Sequence, residues 1–259
     1  MKRIMIVGAT GGIGSSCAEC LNSPDTELFL VGRNEEKLGL LKAKLQSETN
    51  GTSYPDNNEI LEGQNRIMTI EADMMSSDDI KTIFKILKEK KVKLNGLVYA
   101  AGIEGVMPLR VLNREYLNDV MNTNCMAFLE ICKHISSKSV SLDGAAIVAI
   151  SSLASARSYV GELPYCVSKA ALDAAVRTTA KELLVRKIRV NGVLPGTTET
   201  AMIDKARERI ENLDERLRGI QPLGIIETEQ IAYLTEFLLS DKAKFITGSC
   251  IPVNAGNII

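Results

Sequence analysis

The amino-acid sequence predicts a doubly wound α/β fold, a three-layer sandwich in which a seven-stranded parallel β-sheet lies between two layers of helices. Short runs rich in Val, Ile and Leu alternate with longer stretches whose apolar residues recur at helical spacing. The short runs are apolar on both faces, as expected for strands of a sheet that helices cover on either side. No internal repeat is visible, so we expect one domain over residues 1–259.

The first half of the chain alternates strand and helix. The apolar residues Leu38, Leu41 and Leu45 share one face of the second predicted helix. The polar stretch Ser47–Arg66 is predicted to be a surface excursion, because the alternation resumes directly after it. The predicted strands are Arg3–Val7, Glu27–Val31, Arg66–Glu71 and Leu94–Ala100, and the predicted helices are Gly12–Leu21, Glu35–Gln46 and Asp78–Lys90.

The second half continues the pattern with longer helices. Apolar residues recur at helical spacing from Leu117 to Ile135, which predicts one continuous helix there. The predicted strands are Ala145–Ile150, Ile188–Leu194 and Cys250–Val253, and the predicted helices are Arg114–Ser137, Pro164–Arg186, Thr200–Arg218 and Thr228–Ser240.

Charge and hydropathy exclude several classes of partner. The 259 residues include 31 Lys and Arg against 32 Asp and Glu, a net charge of -1. Without a basic excess, we expect neither nucleic acid nor a membrane surface as a partner. The apolar runs are far shorter than the ~20 residues that span a bilayer. In MKRIMIVGATGG, glycines follow the basic residues too soon for a leader peptide, so we expect a cytoplasmic protein.

Six cysteines raise the question of disulfides or a metal. Only Cys17 and Cys20 have ligand-like spacing, and no second pair completes a set of four. His134 is the only histidine in the sequence. We therefore expect reduced thiols and no metal site.

The stretch GATGGIG, from Gly8 to Gly14, follows the first predicted strand and opens the first predicted helix. In a Rossmann-type fold such a turn brings backbone N–H groups and the positive helix end to a pyrophosphate. Two spacings are possible, one through Gly11 and one through Gly12, and they are typical of different nucleotide-binding enzymes. An ordinary tight turn is the alternative interpretation. The predicted cofactor contacts here are Gly8, Thr10, Gly12, Ile13 and Gly14.

The end of the second predicted strand bears on the choice between NADP(H) and NAD(H). An acidic residue there would bind the ribose 2′-hydroxyl, whereas an arginine would favour a 2′-phosphate. The sequence LFLVGRNEEKL places Gly32 at the first loop position and the cation Arg33 beside it. NADP(H) is therefore favoured over NAD(H), with a solvated surface charge as the alternative explanation of Arg33. Asp73, at the end of the third strand, is placed to meet the adenine edge.

The stretch ISSLASARSYVGELPYCVSKAAL contains Ser152, Tyr165 and Lys169. Tyr165 and Lys169 are four residues apart on a predicted helix and share a face. Tyrosine, with an ordinary pKa of ~10, is a poor acid–base group unless its phenolate is stabilised, and a neighbouring ammonium group can do this. The set predicts carbonyl reduction or alcohol oxidation, in which Tyr165 transfers the proton and Ser152 holds the oxygen. A surface Tyr–Lys pair is the alternative.

These motifs together resemble the short-chain dehydrogenase/reductase family, in its single-domain branch of about 250 residues. The resemblance covers the whole chain and implies that Gly8, Gly12 and Gly14 are the functional glycines. The family's N-A-G motif corresponds to Ala100–Gly102, so the Asn that braces the central strand is absent here. Cofactor contacts that the resemblance adds or supports are Asp73, Ala100, Ala101, Gly102, Tyr165, Lys169, Pro195, Gly196 and Thr200.

The resemblance also implies a catalytic set. Ser152, Tyr165 and Lys169 match the family's Ser, Tyr and Lys, and Lys169 would also bind the nicotinamide ribose. Asn124, in MNTNCMAF, matches the helix asparagine that links the lysine to solvent through water. The predicted substrate contacts are Ser152, Tyr159 and Tyr165.

Two larger features follow from the same resemblance. The charged segment Thr200–Arg218 is expected to fold over the substrate as a lid, with Met202, Ile203 and Ile210 on its inward side. The two longest predicted helices are expected to pair across a subunit interface, which implies a homodimer or a homotetramer.

The leading hypothesis is an NADP(H)-dependent oxidoreductase that acts on a small-molecule ketone or secondary alcohol. A 3-oxoacyl-thioester reductase is one version, and a ketone, sugar or steroid reductase is another. A catalytically silent NADP(H)-binding regulator or scaffold is the main alternative. An epimerase or dehydratase of nucleotide sugars would need a larger carboxyl-terminal domain.

Overall fold

The computed structural model describes residues 1–50 and 66–258 and contains the predicted seven-stranded parallel sheet. The spatial order of the strands is β3-β2-β1-β4-β5-β6-β7. The order reverses between β1 and β4, which opens a crevice at the carboxyl ends of these strands. The strands are β1 (Lys2–Val7), β2 (Thr26–Gly32), β3 (Ile67–Glu71), β4 (Leu94–Tyr99), β5 (Ser141–Ile150), β6 (Arg189–Pro195) and β7 (Cys250–Val253).

Helices cover both faces of the sheet. The described helices are α1 (Gly12–Leu21), α2 (Glu35–Asn50), α3 (Ser77–Glu89), α4 (Arg114–Met121), α5 (Ala127–Ile135), α6 (Leu163–Leu183), α7 (Ala201–Arg209), α8 (Leu213–Ile220) and α9 (Thr228–Leu239). Residues of α3, α5 and α6 pack with Met5 and Val7 of β1 in one core. Residues of α1, α2 and α9 pack with Ile4 and Ile6 of the same strand in a second core. The alternation along β1 thus buries both faces, and the predicted fold class is confirmed.

The predicted continuous helix Arg114–Ser137 is wrong in one respect. A π-helical segment, Asn122–Met126, separates α4 from α5, and the Ala127 N–H bonds to the Asn122 carbonyl five residues back. The apolar periodicity passes through the bulge with little change, so the sequence pattern did not reveal it. Such segments often occur at functional sites, and this one carries Asn124.

The charged segment is also divided. The predicted helix Thr200–Arg218 is two helices, α7 and α8, because Asn212 takes a left-handed conformation with φ 56°. Asn tolerates this conformation better than most residues, so it can end a helical run. Ile203 is buried, whereas Met202 and Ile210 are exposed, and the expected lid over the substrate stays a prediction.

The largest differences at the ends of elements are at α2 and β5, and one predicted region lies outside the described residues. α2 continues to Asn50, so the predicted surface excursion begins later than residue 47, and residues 51–65 lie outside the described chain. β5 begins at Ser141 instead of Ala145, because the exposed residues Leu142, Asp143 and Gly144 interrupt the apolar pattern before Ala145. Within the described ranges, no helix is both long and apolar enough to cross a bilayer.

Candidate active site

The glycine turn between β1 and α1 is shaped by close backbone contacts. Gly8 has φ 81°, and a Cβ atom there would lie 2.5 Å from the Ala101 nitrogen. A Cβ at Gly14 would lie 2.1 Å from the Gly8 carbonyl oxygen, which no side chain can tolerate. A Cβ at Gly12 would be 3.1 Å from Thr200 Cγ2, whereas one at Gly11 would make only ordinary contact at 3.4 Å. Only glycine therefore fits at Gly8 and Gly14. A side chain at Gly12 would be more crowded than one at Gly11.

A cleft of about 500 Å³ opens above this turn at the carboxyl ends of the central strands. Its volume is in the range of small-molecule and cofactor sites. The first turn of α1 has no capping side chain and no acidic residue, so its N–H groups are available to an anion. These features fit a dinucleotide. Predicted cofactor residues that line the cleft are Gly8, Thr10, Arg33, Asp73, Ala100, Ala101 and Gly102.

One end of the cleft is rich in polar side chains. Exposed Arg33 lies at this end of the cleft together with Lys37. Sequence reasoning missed Lys37, although it lies on α2 only four residues after Arg33. Asp73 Oδ1 accepts a hydrogen bond from the Met75 nitrogen at 3.0 Å. The N-cap of α3 is Ser76, so Asp73 is not needed for that role.

The remaining predicted cofactor residues lie at the edges of the turn and after β6. Ile13 is partly buried and packs against the core of α1, α2 and α9. Pro195 ends β6, and Thr200 precedes α7 and faces Gly12. The structure therefore places Thr200 against the glycine turn, but it does not place Ile13 among the residues that line the cleft.

Gln221 holds the segment after β6 in place, and sequence reasoning missed it. This fully buried side chain accepts from the Thr197 nitrogen at 2.9 Å and donates to the Thr197 and Gly224 carbonyls at 2.8 Å each. A Cβ at Gly196 would lie 2.6 Å from its Oε1 atom. No local motif marks this glutamine, because two of its three hydrogen bonds are to Thr197, 24 residues away in the sequence.

Ser152, Tyr165 and Lys169 come together at the carboxyl end of β5. Ser152 follows the strand, and its hydroxyl oxygen accepts a hydrogen bond from the Ala154 nitrogen at 3.1 Å, near enough to Tyr165 to lower the pKa of that tyrosine. Lys169 lies one turn further along α6, with its Nζ 5.7 Å from the centre of the Tyr165 ring. The buried Nζ donates to the Ile150 carbonyl at 2.9 Å. Tyr159 lies in the loop before α6 and is partly buried.

The environment shifts the pKa values of both acid–base groups. Burial raises the pKa of Tyr165 to about 12, the Ser152 hydroxyl lowers it, and the nearby carboxylate of Glu162 raises it. Burial lowers the pKa of Lys169 to about 8, and the charge of Asp173 opposes that shift. At neutral pH, Tyr165 therefore holds its proton and Lys169 is predominantly charged.

Asn124 joins the cleft to the catalytic helix. It is fully buried in the π-helical segment, and its Oδ1 accepts from the Ile103 nitrogen at 2.8 Å. Its Nδ2 donates to the Ile103 carbonyl at 3.1 Å and to Ser168 Oγ at 2.9 Å. A Cβ at Gly102 would lie 3.3 Å from Lys169 Nζ and 3.4 Å from Asn124 Oδ1. The glycine thus allows both side chains to approach the cleft.

Tyr99, the last residue of β4, is a third residue that sequence reasoning missed. Its ring is completely buried and meets Phe128 edge-on, with 5.5 Å between ring centres. Its hydroxyl donates a hydrogen bond to the Thr123 carbonyl in the π-helical segment. Burial raises the pKa of Tyr99 well above its ordinary value, so the hydroxyl remains a donor. It ties the central strand to the segment of Asn124, beside the position where Ala100 replaces the Asn brace.

The described cysteines form no metal site. Within residues 1–50 and 66–258, no three His, Cys, Asp or Glu side chains are grouped so that they could hold a metal ion. Burial raises the pKa of Cys17 and Cys20 to about 12 each, so both are neutral thiols at physiological pH.

Known proteins match this chain over a range that includes all of the site residues described above. The family model described as enoyl-(acyl carrier protein) reductase matches residues 8–257. The 3-oxoacyl-(acyl-carrier-protein) reductase FabG of Rickettsia conorii is 30% identical over 100% of this chain and 97% of its own length. The L-xylulose reductase of Caenorhabditis elegans is 29% identical over 98% of this chain and 95% of its own.

A solved structure extends the likeness to three dimensions. A short-chain dehydrogenase/reductase of Brucella melitensis, described as a glucose/ribitol dehydrogenase, is 28% identical and superposes with a TM-score of 0.86. The superposition covers 100% of this chain and 97% of that one.

The fold and its cleft define the class, an oxidoreductase that acts on CH–OH or carbonyl groups with a nicotinamide cofactor. The chain belongs to the short-chain dehydrogenase/reductase family. The predicted resemblance is confirmed over the length of the chain.

Proposed function

We propose that this protein is an NADP(H)-dependent reductase that converts a small-molecule ketone to a secondary alcohol, and that it catalyses the reverse oxidation when product is in excess. The observation that carries the proposal is the pair of half-buried Tyr165 and buried Lys169 with Ser152, beside a glycine-lined cleft. A regulator that only binds the cofactor would not need a buried lysine next to a half-buried tyrosine.

Each residue of this cluster has a distinct role. Ser152 holds the substrate oxygen by a hydrogen bond, and Tyr165 donates its phenolic proton to that oxygen as the alcohol forms. Lys169 stabilises the resulting phenolate through its positive charge. The nicotinamide cofactor, when bound, supplies the hydride for reduction and accepts it in oxidation. Asn124 keeps Ile103 and Ser168 in place, so the cleft and α6 stay aligned.

The preference for NADP(H) follows from charge at the end of β2. Arg33 and Lys37 both line the cleft and are exposed, so they are available to a 2′-phosphate. Gly32 offers no carboxylate at the position where one would bind the 2′-hydroxyl of NAD(H). A charge-assisted contact between guanidinium and phosphate favours the phosphorylated cofactor.

The substrate class is proposed from the relatives. The FabG relatives are reductases of 3-oxoacyl groups on an acyl carrier protein, and another relative is an L-xylulose reductase. A 3-oxoacyl thioester is therefore the first substrate to test, and a ketose is the second. Both carry a ketone that the Ser152 and Tyr165 hydroxyls can hold.

The first experiment is a titration of the purified protein with NADPH and NADH, followed by a turnover assay with the cofactor that binds more tightly. The carbonyl panel contains a 3-oxoacyl thioester, a ketose and a cyclic ketone. We expect tighter binding of NADPH and its oxidation by at least one member of the panel. Tight binding without turnover on any of them would support the regulator instead.

We also propose a homodimer or homotetramer in the cytoplasm. Exposed apolar side chains lie on the helices that would pair, with Met126 in the π-helical segment, Leu129 on α5 and Val167 on α6. All six cysteines are free thiols, which suits a reducing compartment. Light scattering of the purified protein measures the mass, and a monomer at micromolar concentration would contradict the proposed assembly.

A further inference from the structure

Asp173 is a buried acidic residue that the proposed chemistry does not use. It lies on α6 and is only 6% exposed. Its Oδ1 atom has no hydrogen-bond partner among the described residues. A buried carboxylate oxygen without such a bond is unfavourable unless an opposite charge compensates it.

The side chains around Asp173 include two cations that could compensate its negative charge. Lys169 lies four residues before it on the same face of α6, and Arg177 four residues after it. Cys250 of β7 and Cys125 of the π-helical segment are the titratable groups that face this region from other elements. Burial raises the pKa of Cys250 to about 11 and also raises that of Cys125, so both thiols are neutral.

Lys169 is the more deeply enclosed of the two cations. Its ammonium group is buried and bonds to the Ile150 carbonyl, so it has no bulk water to stabilise its charge. On its other side lie the neutral hydroxyl of Tyr165 and, near that tyrosine, the carboxylates of Glu104 and Glu162. Asp173 is thus the buried acid that lies one helical turn from Lys169 on the same face of α6.

We propose that Asp173 is a positioning residue for catalysis, whose buried carboxylate keeps Lys169 in its charged form. The effect of Asp173 on the charge of Lys169 does not depend on the proposed function. Only its consequence does, namely that charged Lys169 stabilises the phenolate of Tyr165. Burial by itself drives Lys169 toward the neutral amine, and an amine could not stabilise a phenolate. In an interior of low dielectric, the attraction between the two charges is much stronger than on the surface.

The direct test measures the titration of Lys169 without requiring turnover. Protein with ¹³C- and ¹⁵N-labelled lysine is titrated by NMR, and the Lys169 signal is assigned from its loss in Lys169→Arg. In Asp173→Asn the titration midpoint of Lys169 should fall by about one pH unit or more. Glu182→Gln is the matched control, because it removes the same charge from an exposed position on α6, and its midpoint should match wild type.

Two further variants make the result decisive. Asp173→Glu keeps the carboxylate and should restore the midpoint toward that of wild type. If Asp173→Asn does not fold, Asp173→Ser provides a second neutral side chain for the same measurement. A folded neutral variant in which Lys169 titrates as in wild type would overturn the proposal.

The pH profile of alcohol oxidation tests the consequence for catalysis. Oxidation requires the ionised form of Tyr165, and loss of the Lys169 charge raises the pH at which that form appears. The rising limb of kcat/KM should therefore move to higher pH in Asp173→Asn but not in Glu182→Gln. A uniform loss of rate with an unshifted limb would indicate a structural role alone. Absence of turnover in wild type would count against the proposed function, while the NMR titration would still decide the role of Asp173.

Discussion

The cofactor cleft and the catalytic cluster lie at one edge of the sheet, but they are held in different ways. The cleft between β1 and β4 is defined by backbone atoms, since a Cβ at Gly8 or Gly14 would lie under 3 Å from the main chain. The catalytic cluster is defined by side chains, through the hydrogen bonds of Asn124 and Lys169. Substitutions at Gly8 and Gly14 should therefore act through steric fit, and those in the cluster through the rate of proton transfer.

Tyr165→Phe gives the largest expected effect and tests the catalytic part of this comparison. The variant keeps the ring but removes the proton donor, so turnover should fall by ~10²–10⁴-fold. NADPH affinity should change little. Lys169→Ala is the informative companion, because it should lower both turnover and NADPH affinity. A Tyr165→Phe protein that kept most of its rate would show that another group supplies the proton.

Gly14→Ala tests the cleft. The added methyl group would lie 2.1 Å from the Gly8 carbonyl oxygen, so the turn must shift, at a loss of about 1–3 kcal/mol in unfolding free energy. NADPH affinity should fall with it. Gly11→Ala is the matched control for stability, with a nearest contact of 3.4 Å, and should behave as wild type in denaturant unfolding. Equal effects of the two variants would contradict the steric explanation.

Arg33→Ala separates cofactor choice from cofactor binding. Loss of a charge-assisted phosphate contact should weaken NADPH binding by about 1–3 kcal/mol and leave NADH binding unchanged. Paired calorimetric titrations with the two cofactors measure the difference. If NADH weakened as much as NADPH, Arg33 would have no part in phosphate recognition.

Tyr99→Phe tests the link between the strand β4 beside the cleft and the π-helical segment beside the catalytic cluster. Of the substitutions considered, it should change activity the least. The variant leaves the Thr123 carbonyl without its donor and should lower the unfolding free energy by about 1 kcal/mol. Because the π-helical segment carries Asn124, we also expect a lower kcat with KM nearly unchanged. Tyr233→Phe, at an exposed position on α9, is the control. A stability loss without any change in kcat would restrict Tyr99 to a structural role.

Much of the fold and the catalytic set could be predicted from the sequence alone. Strands that are buried on both faces are apolar throughout, so runs such as Ile147–Ile150 indicate a parallel sheet without any knowledge of their neighbours. Tyr165 and Lys169 are one helical turn apart, and this local spacing already places them on one face. The glycines of the first turn are likewise a local signal.

The tertiary structure decided the features that depend on distant partners. The bonds of Tyr99 to Thr123, of Asn124 to Ile103 and Ser168, and of Gln221 to Thr197 join segments at least 21 residues apart. Nothing in the local pattern marks the π-helical segment or the burial of Asp173. The sequence by itself therefore determined the sheet and the reactive groups, because their signals are periodic and local. Packing between remote segments decided the protonation and alignment of those groups, because burial and hydrogen-bond partners exist only in the folded chain.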